Sequence, residues 1–325
     1  MSSIAKCWDK VGIEYRKAIF LKTTMTTSLQ QYPGLRRFFL DDDCFILVIE
    51  LCREDRLNAL NFDFWRYFPH CFPKALSLDS LSERGPEAAQ EIKALENVRV
   101  CVVTAQGRAF SAGLDITDSI MTGAIEASSE DNCVARAALR ARQRVLVMQA
   151  ALSCMERCPL PVITAVHGAC IGAGVDLITA ADIRLCSTDA YFSVREIQLA
   201  LAADVGTLQR LPKVAANESR VRQLCFTGEN FGAQEAKELG LVSTVVNGSG
   251  QEVREEAFAL AKRIAMQSPI ALVATKANLL YSRDHSVSDG LDYVATWNGA
   301  GLQSTDLRIA ASAKKRKAAP VFSKL

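Results

Sequence analysis

The chain of 325 residues has no Cys-x-x-Cys pair, although it holds 11 cysteines. Most lie inside apolar runs, where a thiol behaves as a small hydrophobe. That usage argues against a disulfide framework and fits a reducing compartment. Histidine is scarce, and His70, His167 and His285 lack ligand-like spacing, so no zinc site is expected. No apolar run reaches the ~18 to 20 residues of a membrane helix. The net charge of +2 demands neither nucleic acid nor an anionic surface. There is no tandem repeat, no low-complexity linker and no secretory signal. The G-x-G of Gly172 and Gly174 lacks the rest of G-x-G-x-x-G and the Lys-Ser/Thr of a P-loop, which disfavours a nucleotide phosphate cradle.

What is present is a core: 49% of residues are hydrophobic and 23% charged. Residues 1–40 read as a basic lead-in, part helical, with seven Lys/Arg against Asp9 and Glu14. This hints at a transit peptide. Short β-branched runs at 44–51, 98–105, 161–166, 183–186 and 241–246 read as buried strands. Residues 134–157 carry Leu139, Val145, Leu146, Met148, Leu152 and Met155 near helical spacing. Residues 253–266 alternate charge and alanine as an amphipathic helix does. Strands separated by helices imply parallel pairing and an α/β class. From about residue 252 the pattern is helical. The division expected is 1–40 extension, 41–251 core and 252–325 helical C-terminal region. Ser323-Lys324-Leu325 reads as a peroxisomal address for an import receptor. The run Lys314–Lys317 reads as a solvated tail beside it.

Three constellations could carry chemistry. Gly107–Ile116 follows a strand with a turn rich in small residues, whose backbone N–H groups could hold an oxyanion; by itself it reads equally as an ordinary loop. His167–Leu177 follows the third strand. Gly172 and Gly174 permit close backbone approach, and a helix start beyond them would add its positive end. The third is a carboxylate set, Asp176, Glu196 and Asp204. Asp204 sits among small and apolar neighbours with no adjacent cation. If buried, such a carboxyl favours its neutral form, as a proton donor requires. Capping a helix or bonding loop amides is the alternative. For Glu196 the alternative is a surface pair with Arg195.

The two loops, with Arg56-Leu-Asn-Ala-Leu-Asn61 and Cys158-Pro-Leu-Pro-Val-Ile-Thr-Ala-Val-His-Gly168, resemble the crotonase (enoyl-CoA hydratase/isomerase) superfamily from about Asp43 onward. That resemblance implies a spiral of ββα units, a helical C-terminal part that builds homotrimers or hexamers, and an acyl-CoA thioester substrate. By position it implies that the N–H groups of Ala112 and Ala173 bind the thioester oxygen, with Gly113, Leu114, Asp115, Ile116, Gly172 and Gly174 beside them. The family usually has Gly where Ala173 stands. Arg56, Leu57, Ala59 and Lys276, with the Lys314–Lys317 run, are implied as CoA contacts. The segments Ala202–Pro212 and Tyr281–Val287, and the terminal tripeptide, are similar to the dienoyl-CoA isomerase branch. That branch implies a proton shift from C2 to C6 of a 3,5-dienoyl-CoA, within β-oxidation of unsaturated fatty acids. Glu196 would be the C2 base, Asp204 the C6 acid and Asp176 an orienting group, with base and acid exchangeable. No metal or redox cofactor is implied. Competing readings are a hydratase or Δ3,Δ2-enoyl-CoA isomerase of the same fold, and a non-catalytic scaffold or RNA-binding protein. The implied location is the peroxisome or a related organelle such as the glycosome, with mitochondrial targeting as a second address.

Overall fold

β-branched and other apolar residues dominate the central strands on both faces, with few polar interruptions such as Glu50 and Arg184, because both faces of their sheet are covered. The computed structural model describes residues 29, 31–43, 45–73, 95–118 and 133–324. Strands β1 (Leu35–Phe39), β2 (Ile46–Leu51) and β3 (Val100–Ala105) begin the main sheet, with helix α1 (Phe62–Tyr67) between β2 and β3. Helix α2 (Val134–Arg157) leads to β4 (Val162–Val166), and β6 (Ile183–Ser187) and β9 (Thr244–Val246) complete the order β1-β2-β3-β4-β6-β9. Only β1 is antiparallel in that sheet. Three short strands, β5 (Ala169–Ile171), β7 (Tyr191–Ser193) and β8 (Phe231–Gly232), form a second sheet in the order β5-β7-β8. The chain leaves β4 for β5 and β6 for β7, so successive turns add a strand to each sheet. This is the α/β spiral expected from the sequence, with a helical C-terminal region.

The five expected strands coincide with β2, β3, β4, β6 and β9, four of them starting one to three residues later than expected and β6 extending one residue further, to Ser187. The second sheet was not legible, since strands of two or three residues give no periodic signal. Strand β1 falls inside the expected lead-in. Its Arg36 and Arg37 obscure the pattern, but Arg37 is buried, with its guanidinium over the Tyr32 ring at 5.2 Å. Residues 1–28, the rest of the expected helical lead-in, lie outside the described residues.

Alternation along the strands sorts side chains into two cores. Leu47, Ile49, Cys101 and Val103 face one, while Ile46, Val48, Val100 and Val102 face the other. The second is closed by helix α7 (Gly250–Ala265), whose Val253, Ala257, Ala261 and Ala265 recur at four-residue spacing and allow close approach. A capping box of Ser249 and Glu252 starts that helix. In α2 the apolar spacing predicts the helix correctly but not its burial. Leu152 and Met155 are buried, whereas Leu139 is open.

Helix α3 (Ala173–Thr179) lies between β5 and β6, and α4 (Thr207–Val214), α5 (Glu218–Thr227) and α6 (Ala233–Leu239) lie between β6 and β9. The C-terminal region adds α8 (Pro269–Ser282), α9 (Val287–Gly301) and α10 (Thr305–Arg316). Tyr281 stacks on His285 at 3.7 Å and on Tyr293 at 4.0 Å, locking the α8–α9 turn.

Lys276 of α8 is not a pocket cation. Its ammonium is buried, 5% exposed, and donates to Met155 O (2.8 Å) and Leu160 O (2.9 Å) while pairing with Asp182 at 2.7 Å. Every donor on this charge is spent on joining α8 to the α2–β4 connection. Replacing Lys276 with Ala would leave Asp182 and two carbonyls short of a partner. The expected cost is about 3 to 5 kcal/mol of stability in urea unfolding. Wild-type stability would return Lys276 to the solvent-facing cations.

Candidate active site

The two glycine-containing loops are zipped together by backbone hydrogen bonds. Phe110 N–H donates to His167 O (2.9 Å), Ser111 N–H to Ala169 O (3.0 Å) and Ile171 N–H to Ser111 O (3.0 Å). Gly113 sits at φ +94°, where an added Cβ would lie 2.7 Å from Ile171 O and 3.6 Å from Ala173 N. Only glycine permits that approach. Gly174 serves the same packing, facing Ser111 and Cys170 rather than the cavity.

Asn58 organises the first loop from below. It is buried and in the left-handed region at φ 54°, next to Leu57 at φ 50°. Its amide donates to Gln106 O and Ala109 O, both at 2.8 Å, and its Oδ1 accepts from Arg53 N–H at 2.8 Å. Its carbonyl accepts the Ser111 hydroxyl (2.9 Å), and Leu57 O accepts Ala112 N–H (2.9 Å).

These bonds decide which amide is available to a ligand. Ala112 N–H is committed to Leu57 O, Gly113 N–H to Ser111 Oγ and Asp115 N–H to Leu60 O. Between Ala112 and Asp115, Leu114 N–H alone has no acceptor among the described residues. The structure therefore corrects the expectation for Ala112: the loop's free donor is Leu114. The second donor, Ala173 N–H, opens α3, where helix geometry provides no acceptor. Ala173 has no positive φ, so its methyl group costs no backbone strain. Leu57 contributes a carbonyl behind the loop and no cavity wall.

A cavity of about 380 Å³ opens over both donors. Arg56, Ala59, Ala112, Gly113, Leu114, Asp115, Ile116, Gly172, Ala173, Glu196 and Asp204, all among the candidate site residues, line it. Trp65, Met148, Leu201 and Val205 also line it and were not singled out. Met148 counted only toward the helical spacing of residues 134–157, because a pocket-facing apolar residue on a helix has the same spacing as a core residue. Asp115 is no additional acid: the Thr117 hydroxyl, helped by Arg53 at 2.9 Å, holds it below the ordinary carboxylate range.

Asp176 stands behind the cavity wall and is fully buried in α3. Its Oδ1 accepts Thr207 N–H at the start of α4. Glu196 lies in a 3₁₀ turn, Arg195–Leu199, after β7. A Cβ on Gly172 would come 3.1 Å from Glu196 Oε1, so that glycine leaves room for the carboxyl. The surface pair with Arg195 does not form, since Arg195 turns to Asn230 and Ser193. Asp176 and Glu196 are within hydrogen-bonding reach of one another. Each also has a buried oxygen, Oδ2 and Oε2, with no donor. A single proton held between the carboxyls meets that need. Burial pushes Asp176 up to about 6. Burial, reinforced by the charge of Asp176, pushes Glu196 up to about 7.

Asp204 departs from expectation in one respect. It is exposed at the cavity wall, not enclosed. Partial desolvation still raises its carboxyl above the ordinary range. It caps no helix: the residue preceding α4 is Gly206.

The proton on Glu196 links activity to stability. The folded state binds it more tightly than the unfolded chain, whose value is near 4.5. Stability is therefore lost as pH rises from that value through about 7. Glu196→Gln is expected to melt above wild type at pH ~8 and close to it at pH ~5. An equal gap at both pH values would show that burial does not hold the proton.

Residues 75–293 match the family model described as enoyl-CoA hydratase/isomerase. The chain is 43% identical over 283 residues to a protein of Pongo abelii named Delta(3,5)-Delta(2,4)-dienoyl-CoA isomerase, mitochondrial, covering 86% of this chain and 80% of the relative. It is 44% identical over 298 residues to the Arabidopsis thaliana protein of the same name, peroxisomal, covering 92% and 100%. Among solved structures, an enoyl-CoA hydratase from Bacillus anthracis superposes with a TM-score of 0.71 at 25% identity, covering 89% of this chain and 98% of that one. With a matching spiral, paired loops and a family match over most of its length, this chain belongs to the enoyl-CoA hydratase/isomerase family.

Proposed function

We propose that the chain isomerises 3,5-dienoyl-CoA to 2,4-dienoyl-CoA. The observation that carries this reading is a second proton-transfer group, Asp204, across one cavity from the Asp176–Glu196 pair and the two free amides. Relatives bearing the dienoyl-CoA isomerase name support it.

In the proposed reaction Leu114 N–H and Ala173 N–H hold the thioester oxygen, so that charge can develop there. Glu196 takes the proton from C2, and the electron pair spreads over the dienolate. Asp204 gives a proton to C6. The double bonds move to C2 and C4, leaving Glu196 protonated and Asp204 ionised until solvent resets them. A base titrating near 7 suits abstraction at neutral pH, and a raised acid suits donation. Asp176, buried and unable to reach the cavity, orients Glu196. Arg56, half-exposed at the cavity rim, would meet the anionic end of CoA.

The terminal Ser323-Lys324-Leu325 supports delivery to a peroxisome-type organelle. Ser323 and Lys324 are exposed, and Leu325 lies outside the described residues. Exposed Leu279, Val287, Leu291, Leu302 and Leu307 on α8–α10 support a homotrimer or hexamer built through residues 252–325.

Asp204→Asn is expected to lower turnover of 3,5-dienoyl-CoA by ~10²- to 10⁴-fold, read by the absorbance of the product diene. Near-normal turnover would remove Asp204 from the mechanism. Hydration of crotonyl-CoA that outpaces dienoyl isomerisation in the wild type would replace the proposed function with that of a hydratase.

A further inference from the structure

The Asp204 carboxyl receives no hydrogen bond from another residue among those described; only its own backbone N–H is directed at it. Its position is therefore set by the peptide that carries it, in a stretch, 201–204, without regular structure. Three bonds pin that peptide. Gln149 Nε2 donates to Asp204 O at 2.6 Å. Arg210 Nη1 donates to Val205 O at 3.3 Å. Thr207 N–H is held by Asp176.

The Arg210 bond is the one with a dedicated scaffold. Its guanidinium is 10% exposed and folds back over Gly206, whose φ is +139°. A Cβ there would lie 1.7 Å from Arg210 Nη1, so residue 206 has no side chain because the guanidinium occupies its place. The other end of the fork reaches α2, donating to Ser153 Oγ (2.8 Å) and Glu156 Oε2 (2.7 Å). Glu156 also receives Arg283 at 2.6 Å, from the turn that follows α8. Burial alone would raise Glu156, but these two cations bring it below its ordinary value. Arg210 does not line the cavity, so it cannot act on substrate directly.

We infer that Arg210 is a positioning residue that sets the reach of Asp204 toward the far end of the dienoyl chain, by fixing Val205 O relative to α2. It leaves the carbon-2 end to Glu196, which is carried by a separate turn. This inference rests on the proposed isomerase reading.

The reaction offers a readout that a merely structural role would not move. A dienolate formed by Glu196 either goes forward, by protonation at C6, or returns by reprotonation at C2. In deuterated water the return marks unreacted substrate at C2. The ratio of C2 deuterium in recovered 3,5-dienoyl-CoA to 2,4-dienoyl-CoA formed therefore reports the partition, whatever fraction of the enzyme is active. Arg210→Lys keeps a charge for Glu156 but cannot hold Val205 O with the same fork, and Arg210→Met loses both. Each is expected to raise the ratio ~10-fold or more while KM stays within ~2-fold, since a misplacement of about 1 Å can cost 10²-fold in a positioned step. A wild-type ratio in both variants, or a rise in KM with the ratio unchanged, would overturn the assignment. A wild-type protein that forms no 2,4-dienoyl-CoA would instead overturn the proposed function, and with it the premise of the inference.

Discussion

The buried carboxylate of Asp176 is the constraint on which the site turns. A charge with no solvent exposure is expensive unless it finds donors or a proton. Asp176 takes an amide from the first residue of α4, 31 positions later in the chain, and lies within hydrogen-bonding reach of Glu196, where burial raises both carboxyls toward their protonated forms. The first bond fixes the segment that carries Asp204, and the second raises the group proposed as the base. One side chain behind the wall thus couples two carboxyls in front of it. The cost falls on stability at high pH, where the proton must be given up.

The amide donors arise differently, by subtraction. Hydrogen-bonding demand in the two loops is met internally almost everywhere, through Asn58, Leu57, Ser111 and the β5 backbone. Between Ala112 and Asp115 what remains without an acceptor among the described residues is Leu114 N–H, and the first amide of α3 joins it at the cavity. Such preorganised donors need no rearrangement when charge develops. Two residues in left-handed geometry, Leu57 and Asn58, carry the strain of this arrangement, offset by the five hydrogen bonds that Asn58 makes.

Charge elsewhere is used to hold elements together. Lys276 joins α8 to the α2–β4 connection, and Arg210 and Arg283 meet on Glu156 at the α2 surface. Both assemblies tie the C-terminal helices or the Asp204 segment to α2. The long helix consequently serves the site twice, with Met148 on the cavity wall and Ser153 and Glu156 anchoring its margin.

The sequence alone determined the central strands and the α/β class, because buried parallel strands leave local signatures; the grouping of Asp176, Glu196 and Asp204 as one candidate site came from the family resemblance and not from any local pattern. The sequence also marked the two loops, since glycine at a crowded turn is visible without a structure. Tertiary structure decided the rest. Whether Ala112 or Leu114 offers its amide depends on Leu57 O, 55 residues before Ala112, and no local pattern encodes an acceptor supplied from that distance. Lys276 reads like any surface lysine until Met155, Leu160 and Asp182 surround it. The short strands of the second sheet exist only through pairing with each other. The degree of burial of Asp204 could not be inferred from its apolar neighbours. Of those neighbours Ala203 and Val205 are buried while Leu199, Leu201 and Ala202 are exposed, and a coil segment has no period from which that division could be read.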